Sequence, residues 1–352
     1  MKRNGKRVLS LLLAMLLVLS LTACGGDGGS NSDSQSDLPE ELQQYLSPWE
    51  KDAVAEAKEK GTMEFYFMAT LGMRMSESTE DDPYKWGDCC LIVFPDGTTM
   101  LVDGGMPKYV PVLLENLKRL GVEKLDYVVL SHQHGDHTGG LICEGGIFDS
   151  IEVGKVYYNG LINEEWKNPM AFEEALDASG IPHEHLFRGD TLSIGGVNIE
   201  VLWPDNTEVA GTYYDVKPMN NRSVVLRFDY EEFSALFTGD LYKESERQLI
   251  DIYGDKLDVD LLKIPHHGHD TSSSSEFGAA VTPEIAVATG YVGMATTNYY
   301  SYSKQGARVM FDYMDGYIHV SAAKDGTMAW DKSLERTSDI YDGLDKKAGI
   351  TW

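Results

Sequence analysis

Residues Ser131–Gly140 read SHQHGDHTGG and place three of the chain's nine histidines, with one aspartate, within six positions. The stretch leading into them, Asp126–Ser131 (DYVVLS), has the apolar, β-branched composition of a buried strand. If the extended direction continues, residues 132, 134 and 136 project to one side and 133 and 135 to the other. His132, His134 and Asp136 would then converge at a strand end, a donor set suited to Zn²⁺, Mn²⁺ or Fe²⁺. His137 is offset by one position and can reach a second metal beside the first. Gly135 permits a tight backbone, and Thr138-Gly139-Gly140 is expected to start a helix whose glycines let the chain turn away beneath the site.

Three other apolar strands end in the same kind of residue. Phe233–Asp240 (FSALFTGD) delivers Asp240, and Val259–Gly268 (VDLLKIPHHG) delivers His266 and His267. Thr98–Asp103 (TTMLVD) delivers Asp103, placed to orient a ligating histidine through a hydrogen bond. Ligand sites in α/β layers gather at such carboxyl ends of strands. Strands are also expected at Met63–Ala69, Cys90–Phe94, Lys155–Asn159, Val197–Leu202 and Ser223–Tyr230, and helices at Lys108–Leu120, Glu164–Ser179 and Tyr242–Tyr253. The alternation fits one α/β domain over 62–331, after a helical lead-in at 38–61 and before a C-terminal tail at 332–352.

The start of the chain reads as an address. Lys2, Arg3, Lys6 and Arg7 precede an apolar run from Val8 to Leu21, the layout of an export signal over 1–23. Leu21-Thr22-Ala23-Cys24 resembles a bacterial lipobox, which implies lipid on Cys24 and a membrane-anchored body outside the cytoplasm. Residues 24–37 have almost nothing to bury and form a flexible tether. Without those four basic residues, 26 lysines and arginines face 56 acidic residues, a net charge of −30. Such a body repels polyanions and lacks the clustered cations of a general nucleic-acid binder. The cysteines left after Cys24 are Cys89, Cys90 and Cys143; the adjacent pair reads as small buried hydrophobes, not a disulfide framework.

At this point the residues resemble a known superfamily. Asp103-Gly104-Gly105, the HxHxDH pattern of His132–His137 and the terminal Asp240 are similar to the metallo-β-lactamase fold. The resemblance implies a four-layer αββα sandwich with a one- or two-metal hydrolytic site. LSHQHGDHTGGL, NNRSVVLRF, LFTGDL and LLKIPHHGHDTSSS together are similar to the domain of ComEC-type DNA-uptake proteins, and cell-wall phosphorylcholine esterases have a related layout. The superfamily's usual histidine between the first motif and Asp240 is missing; Asn220-Asn221 stands there, and His183 and His185 fit an edge strand better. Tyr302-Ser303 stands where that group has His-Pro.

The resemblance implies two divalent ions, Zn or Mn. His132 and His134 would hold one, Asp136 and His137 the other, with Asp240 bridging. One of His266 and His267 completes a coordination sphere, and His266, first off the strand, is favoured. Asp136 and Asp240 carry the catalytic role, with Asn221 either touching a phosphoryl oxygen or serving as an interior hydrogen-bonding residue. The expected activity is hydrolysis of a phosphoester or phosphodiester, small or polymeric, with DNA disfavoured by charge. A cationic choline head would suit an acidic rim bearing Tyr213, Tyr214, Tyr299, Tyr300 and Tyr302. The inserted stretch Thr70–Asp88 is expected to shape the substrate mouth. A ligand-binding envelope lipoprotein on the same fold is the non-enzymatic alternative, and His183, His185 and His319 read as surface or packing residues.

Overall fold

Two apolar hairpins, one in each half of the chain, seed two separate sheets. The computed structural model describes residues 38–68, 87–160, 167–206, 219–290, 294–336 and 339–351. The export segment, Cys24, the tether, Tyr213, Tyr214 and all but the end of the 70–88 stretch lie outside the described residues. In the first half, β1 (Thr62–Phe67), β2 (Cys90–Val93) and β3 (Thr99–Val102) run antiparallel, then β4 (Lys124–Val129), β5 (Glu152–Tyr158) and β6 (His183–His185) follow β3 in parallel. In the second half, β7 (Thr191–Ile194), β8 (Val197–Trp203), β9 (Val225–Tyr230) and β10 (Phe233–Phe237) run antiparallel, then β11 (Leu261–Lys263), β12 (Ile285–Ala288) and β13 (Arg308–Phe311) follow β10 in parallel. The chain then returns to the first sheet with β14 (Ile318–Ala323) beside β1 and β15 (Met328–Lys332) at the edge.

Parallel strands need crossovers, and helices supply them on the outer faces. The longer ones are α1 (Ala53–Lys60), α2 (Val110–Arg119), α3 (Gly135–Ile142), α4 (Lys167–Ser179), α5 (Lys243–Tyr253), α6 (Ser275–Val281), α7 (Thr296–Ser303) and α8 (Asp342–Ala348). The apolar stripe of α2 packs Leu113 and Leu117 with Leu91 and Val128 on the outer face of the first sheet. Leu249 of α5, Phe277 of α6 and Tyr299 of α7 cover the second. Between the sheets lies a third core in which Phe65, Phe67, Phe228 and Phe237 pack ring on ring. Truncating any one of these rings to alanine costs about 3–5 kcal/mol. The layers are therefore helix, sheet, sheet, helix, as the resemblance implies. Among the described residues no helix is long and apolar enough to cross a membrane.

Residues 332–352, read from the sequence as a tail, include a packed segment. Arg336 reaches Asp315 Oδ2 and Val309 O, each at 2.7 Å, and Tyr341 stacks on Tyr299 with ring centroids 4.3 Å apart. The lead-in is held similarly: Asp52 caps α1 by accepting from the Ala55 N–H at 2.8 Å, and Gly61 ends it in the left-handed region. This doubled arrangement points the carboxyl ends of β3, β4, β10, β11 and β12 toward one place.

Candidate metal centre

The extended direction does not continue through the histidine motif. β4 ends at Val129, His132–His134 form a loop, and α3 begins at Gly135 rather than after Thr138. Asp136 and His137 thus reach the site from a first helical turn. Gln133 faces the other way and donates to Asn159 Oδ1 at 2.8 Å. The glycines serve close approach instead of a turn: a side chain at Gly140 would collide with Gly104 O, and the Gly140 N–H donates to Gly105 O at 2.8 Å. The strand expected over Val259–Gly268 stops at Lys263, and Pro265–Gly268 forms a tight turn. His266, His267 and Gly268 are all left-handed there, with φ of 49°, 55° and 80°. Two consecutive non-glycine residues in that region are costly, and hydrogen bonds from Asn298 Nδ2 to Gly268 O (3.3 Å) and His269 O (2.9 Å) brace the turn.

The imidazoles converge on one carboxylate oxygen. Asp240 Oδ2 lies 3.3 Å from His137 Nε2, 3.3 Å from His267 Nε2, 3.7 Å from His132 Nε2 and 3.9 Å from His266 Nε2. Asp136 Oδ2 is 3.4 Å from His267 Nε2 and 3.7 Å from His137 Nε2. Asp136, His137, Asp240 and His267 therefore form one compact set of ligand atoms. His134 joins from the rim, with its Nδ1 2.9 Å from His132 Nε2.

The outer nitrogens fix the tautomers. His137 Nδ1 donates to Asp103 Oδ2 at 2.8 Å, and His267 Nδ1 donates to Thr289 O at 2.8 Å. The Ser131 hydroxyl donates to Asp103 Oδ2 at 2.8 Å, so it accepts from His132 Nδ1 at 3.0 Å. Each of these rings consequently turns Nε2 inward, the nitrogen that a metal would take once it is bare. Asp103 also accepts from the Ser131 N–H at 2.7 Å and sits at φ 60°. The Asp240 N–H donates to Ser223 Oγ at 2.9 Å.

Charge inside this cluster is strongly redistributed. Burial disfavours a proton on His137, yet Asp240, Asp103 and Asp136 outweigh it and hold its pKa well above the usual histidine value. Burial is likewise overcome at His267, where Asp240 and Asp136 push the pKa up to about 9. Asp240 runs the other way: burial opposes its charge, but His267, His137 and His266 hold it well below the carboxylate range. Burial drives His132 and His134 down and keeps both neutral. A buried nest of carboxylates and inward lone pairs that must recruit protons for neutrality fits a divalent cation in their place.

Most of the residues expected from sequence meet here: His132, His134, Asp136, His137, Asp240 and His267, with Asp103 behind. The preference for His266 over His267 is reversed. The left-handed turn aims His267 inward, while His266 Nδ1 bonds Thr271 Oγ1 at 2.5 Å and its ring lies against Tyr242 at 4.9 Å. Asn221 takes the interior role: its Oδ1 accepts from the Tyr242 N–H at 3.0 Å and its carbonyl from Trp203 Nε1 at 2.6 Å. Tyr299 and Tyr302 are fully buried and belong to no rim. His183 and His185 lie on the exposed edge strand β6, and His319 packs inside against Glu64. Cys89 and Cys90 are buried free thiols.

Sequence reasoning missed Asp88 and Lys263. Asp88 was grouped with the mouth stretch but is buried beneath the centre, ion-paired with Lys263 Nζ. The clue was a lysine within VDLLKIP: a strand covered on both faces should read apolar throughout, so a charge there demands a buried partner.

Paired sheets whose strand ends assemble a His–Asp cluster define the metal-binding hydrolase class of α/β sandwiches. Residues 87–289 match the metallo-beta-lactamase superfamily, and the chain belongs to that superfamily, whose members are typically hydrolases. It is 30% identical over 178 residues to ComE operon protein 3 of Bacillus subtilis, a match covering 50% of this chain and 21% of that protein. It is 32% identical over 201 residues to competence protein ComA of Neisseria gonorrhoeae, covering 57% of this chain and 24% of that protein. The matched stretch thus spans about a fifth to a quarter of those relatives' own length. Among solved structures, the metallo-beta-lactamase fold protein YhfI of Bacillus subtilis aligns over 76% of this chain and 98% of its own, with a TM-score of 0.46 and 16% identity.

Proposed function

We propose that this chain is a metal-dependent phosphoesterase working outside the cytoplasm, held there by lipid on Cys24, with two Zn or Mn ions in its centre. The observation that carries the reading is the convergence of the Nε2 atoms of His132, His137 and His267 on Asp240 Oδ2, with Asp136 alongside. When bound, divalent ions supply Lewis acidity that brings the pKa of a water to about 7 and offsets charge on phosphoryl oxygens. The protein's own part is to hold Nε2 of His132, His137 and His267 inward, through Ser131, Asp103 and Thr289. Asp240 presents a single oxygen between the histidines, and Asp136 closes one side. A bound dication would take the place of the protons that His137 and His267 otherwise hold. The fully buried His132, His137 and His267 rings keep bulk water off the inner side, leaving His134, His266 and Asp136 at the open rim.

Small or zwitterionic phosphoesters of the envelope suit a body carrying −30 better than DNA does, because phosphate-neutralising contacts dominate DNA affinity. The similarity to two competence proteins favours a second reading, a nuclease on DNA. Hydrolysis of bis-p-nitrophenyl phosphate by the soluble 25–352 chain, metal-stripped and reloaded with Mn²⁺ or Zn²⁺, tests the first. Turnover is expected to return with metal and to be absent from Asp240→Ala. Linear single- and double-stranded DNA in parallel at low salt separates the two readings. No turnover of any phosphoester with metal demonstrably bound would reject both.

A further inference from the structure

Lys263, the last residue of β11, is 2% exposed and lies directly beneath the centre. Its Nζ is ion-paired with Asp88 Oδ2, donates to Gly239 O at 3.3 Å, and stands 3.9 Å from Asp240 Oδ1. Asp88 is fixed independently of the lysine. Its Oδ1 accepts from Thr289 Oγ1 at 2.7 Å and its N–H donates to Asp136 O at 3.1 Å. Asp240 divides its two oxygens accordingly: Oδ2 faces the imidazoles, while Oδ1 has no hydrogen-bond partner among the described residues and faces the ammonium.

We propose that Lys263 is a positioning residue that turns Asp240 so that only Oδ2 meets the metals, and that Asp88 holds it back from capturing Asp240 outright. The inference rests on the metal-binding reading above. Attraction between unlike charges rises as their separation falls, most steeply where water is excluded. At full contact the ammonium would neutralise Asp240 and repel an incoming dication. At 3.9 Å, tethered to another carboxylate, it orients Oδ1 and leaves Oδ2 exposed to the site. A purely structural ion pair would be indifferent to which carboxylate holds the lysine, whereas this arrangement requires Asp88 to win.

That difference gives an inverted mutant cycle. Asp88→Asn keeps the acceptor for Thr289 but loses the charge, so Lys263 closes on Asp240. Affinity for Zn²⁺, measured on the folded full chain by competition with a chromophoric chelator, should fall by about tenfold or more, the scale on which ligand-orienting residues act. Adding Lys263→Met to Asp88→Asn removes the competitor but also the hold on Oδ1, so affinity should rise at least about threefold above the single variant yet stay below the parent, and a double variant that binds like the parent would deny Lys263 its positioning role. Asp88→Asn binding like the parent, or a double variant as weak as the single one, overturns the proposal. Should Asp88→Asn fail to fold by circular dichroism, Lys263→Gln decides: a neutral donor between the carboxylates should bind Zn²⁺ at least as tightly as the parent, and weaker binding overturns the proposal. A parent that binds neither Zn²⁺ nor Mn²⁺ would sink the metal reading itself, a result distinct from all of these.

Discussion

Replacing Asp103 with Asn separates the orientation of a ligand from the integrity of the fold. The carboxylate accepts three hydrogen bonds, from the Ser131 N–H at 2.7 Å, the Ser131 hydroxyl at 2.8 Å and His137 Nδ1 at 2.8 Å. Asparagine has nearly the same shape and tolerates the left-handed φ of 60° at this position, so the backbone should not move. One of its ends, however, is a donor. With Oδ1 kept toward the Ser131 N–H, the amide NH₂ faces His137 Nδ1 and forces that nitrogen to accept. The ring proton then sits on Nε2, the atom 3.3 Å from Asp240 that must be bare to bind metal. Turning the amide over moves the conflict onto the Ser131 N–H without removing it. The expected loss is about 10–100-fold in metal affinity, the range for carboxylates that orient a ligating histidine, or about 1.4–2.8 kcal/mol. Asp103→Ala should additionally leave the Ser131 N–H buried and unpaired, costing about 1–3 kcal/mol of folding stability. Chelator competition at fixed pH reads the first quantity and urea unfolding the second. Parental metal affinity in a folded Asp103→Asn chain would refute the tautomer argument.

Three further outcomes are expected. His267→Ala should weaken Zn²⁺ binding by at least about tenfold more than His266→Ala, since only His267 lies within the compact ligand set; equilibrium dialysis measures both, and the reverse order would reject the inward aim of the turn. Metal affinity should rise with pH up to about 9, because Zn²⁺ must displace a proton that Asp240 and Asp136 hold on His267 against the cost of burial. The slope should be about tenfold per pH unit for each proton released, and a flat profile between about pH 6 and 8 would contradict it. Between β1 and β14 of the first sheet, His319 Nε2 meets Glu64 Oε2 at 2.7 Å, with Trp49 and Tyr66 against the imidazole. Burial opposes both charges, yet the partners raise His319 above its usual 6.5 and lower Glu64 below its usual 4.5. The histidine's contribution is complete below 6.5 and lost as pH rises through its raised value; the glutamate's is complete above 4.5 and lost as pH falls through its lowered value. The melting-temperature difference between parent and His319→Gln should therefore be largest between pH 4.5 and 6.5 and shrink as pH rises through the raised His319 value; a difference constant with pH would mean that the pair is neutral.

What could be read from sequence was whatever depends on residue type at a strand end. Asp103, His132, Asp240 and His267 each follow an apolar run, and period-2 patterning places the end of such a run without any knowledge of the neighbouring strands. What could not be read was direction within a turn. Extrapolating β4 gave an alternating comb from 132 to 136, but α3 begins at Gly135 and runs on to pack Gly140 close against Gly104. The choice of His266 failed for the same reason: order off a strand predicts aim only while the chain stays extended, and two left-handed histidines rotate the second one inward. Two of the expected rim tyrosines, Tyr299 and Tyr302, failed by a different rule. An aromatic residue on a helix beside the site is usually spent on the core, as Tyr299 and Tyr302 are against α6 and the C-terminal segment. The buried Asp88–Lys263 pair shows where a one-dimensional reading runs short most plainly. A charge placed inside a sheet is a demand for a partner, and here the partner lies 175 positions away, a distance that only the pairing of two sheets can close.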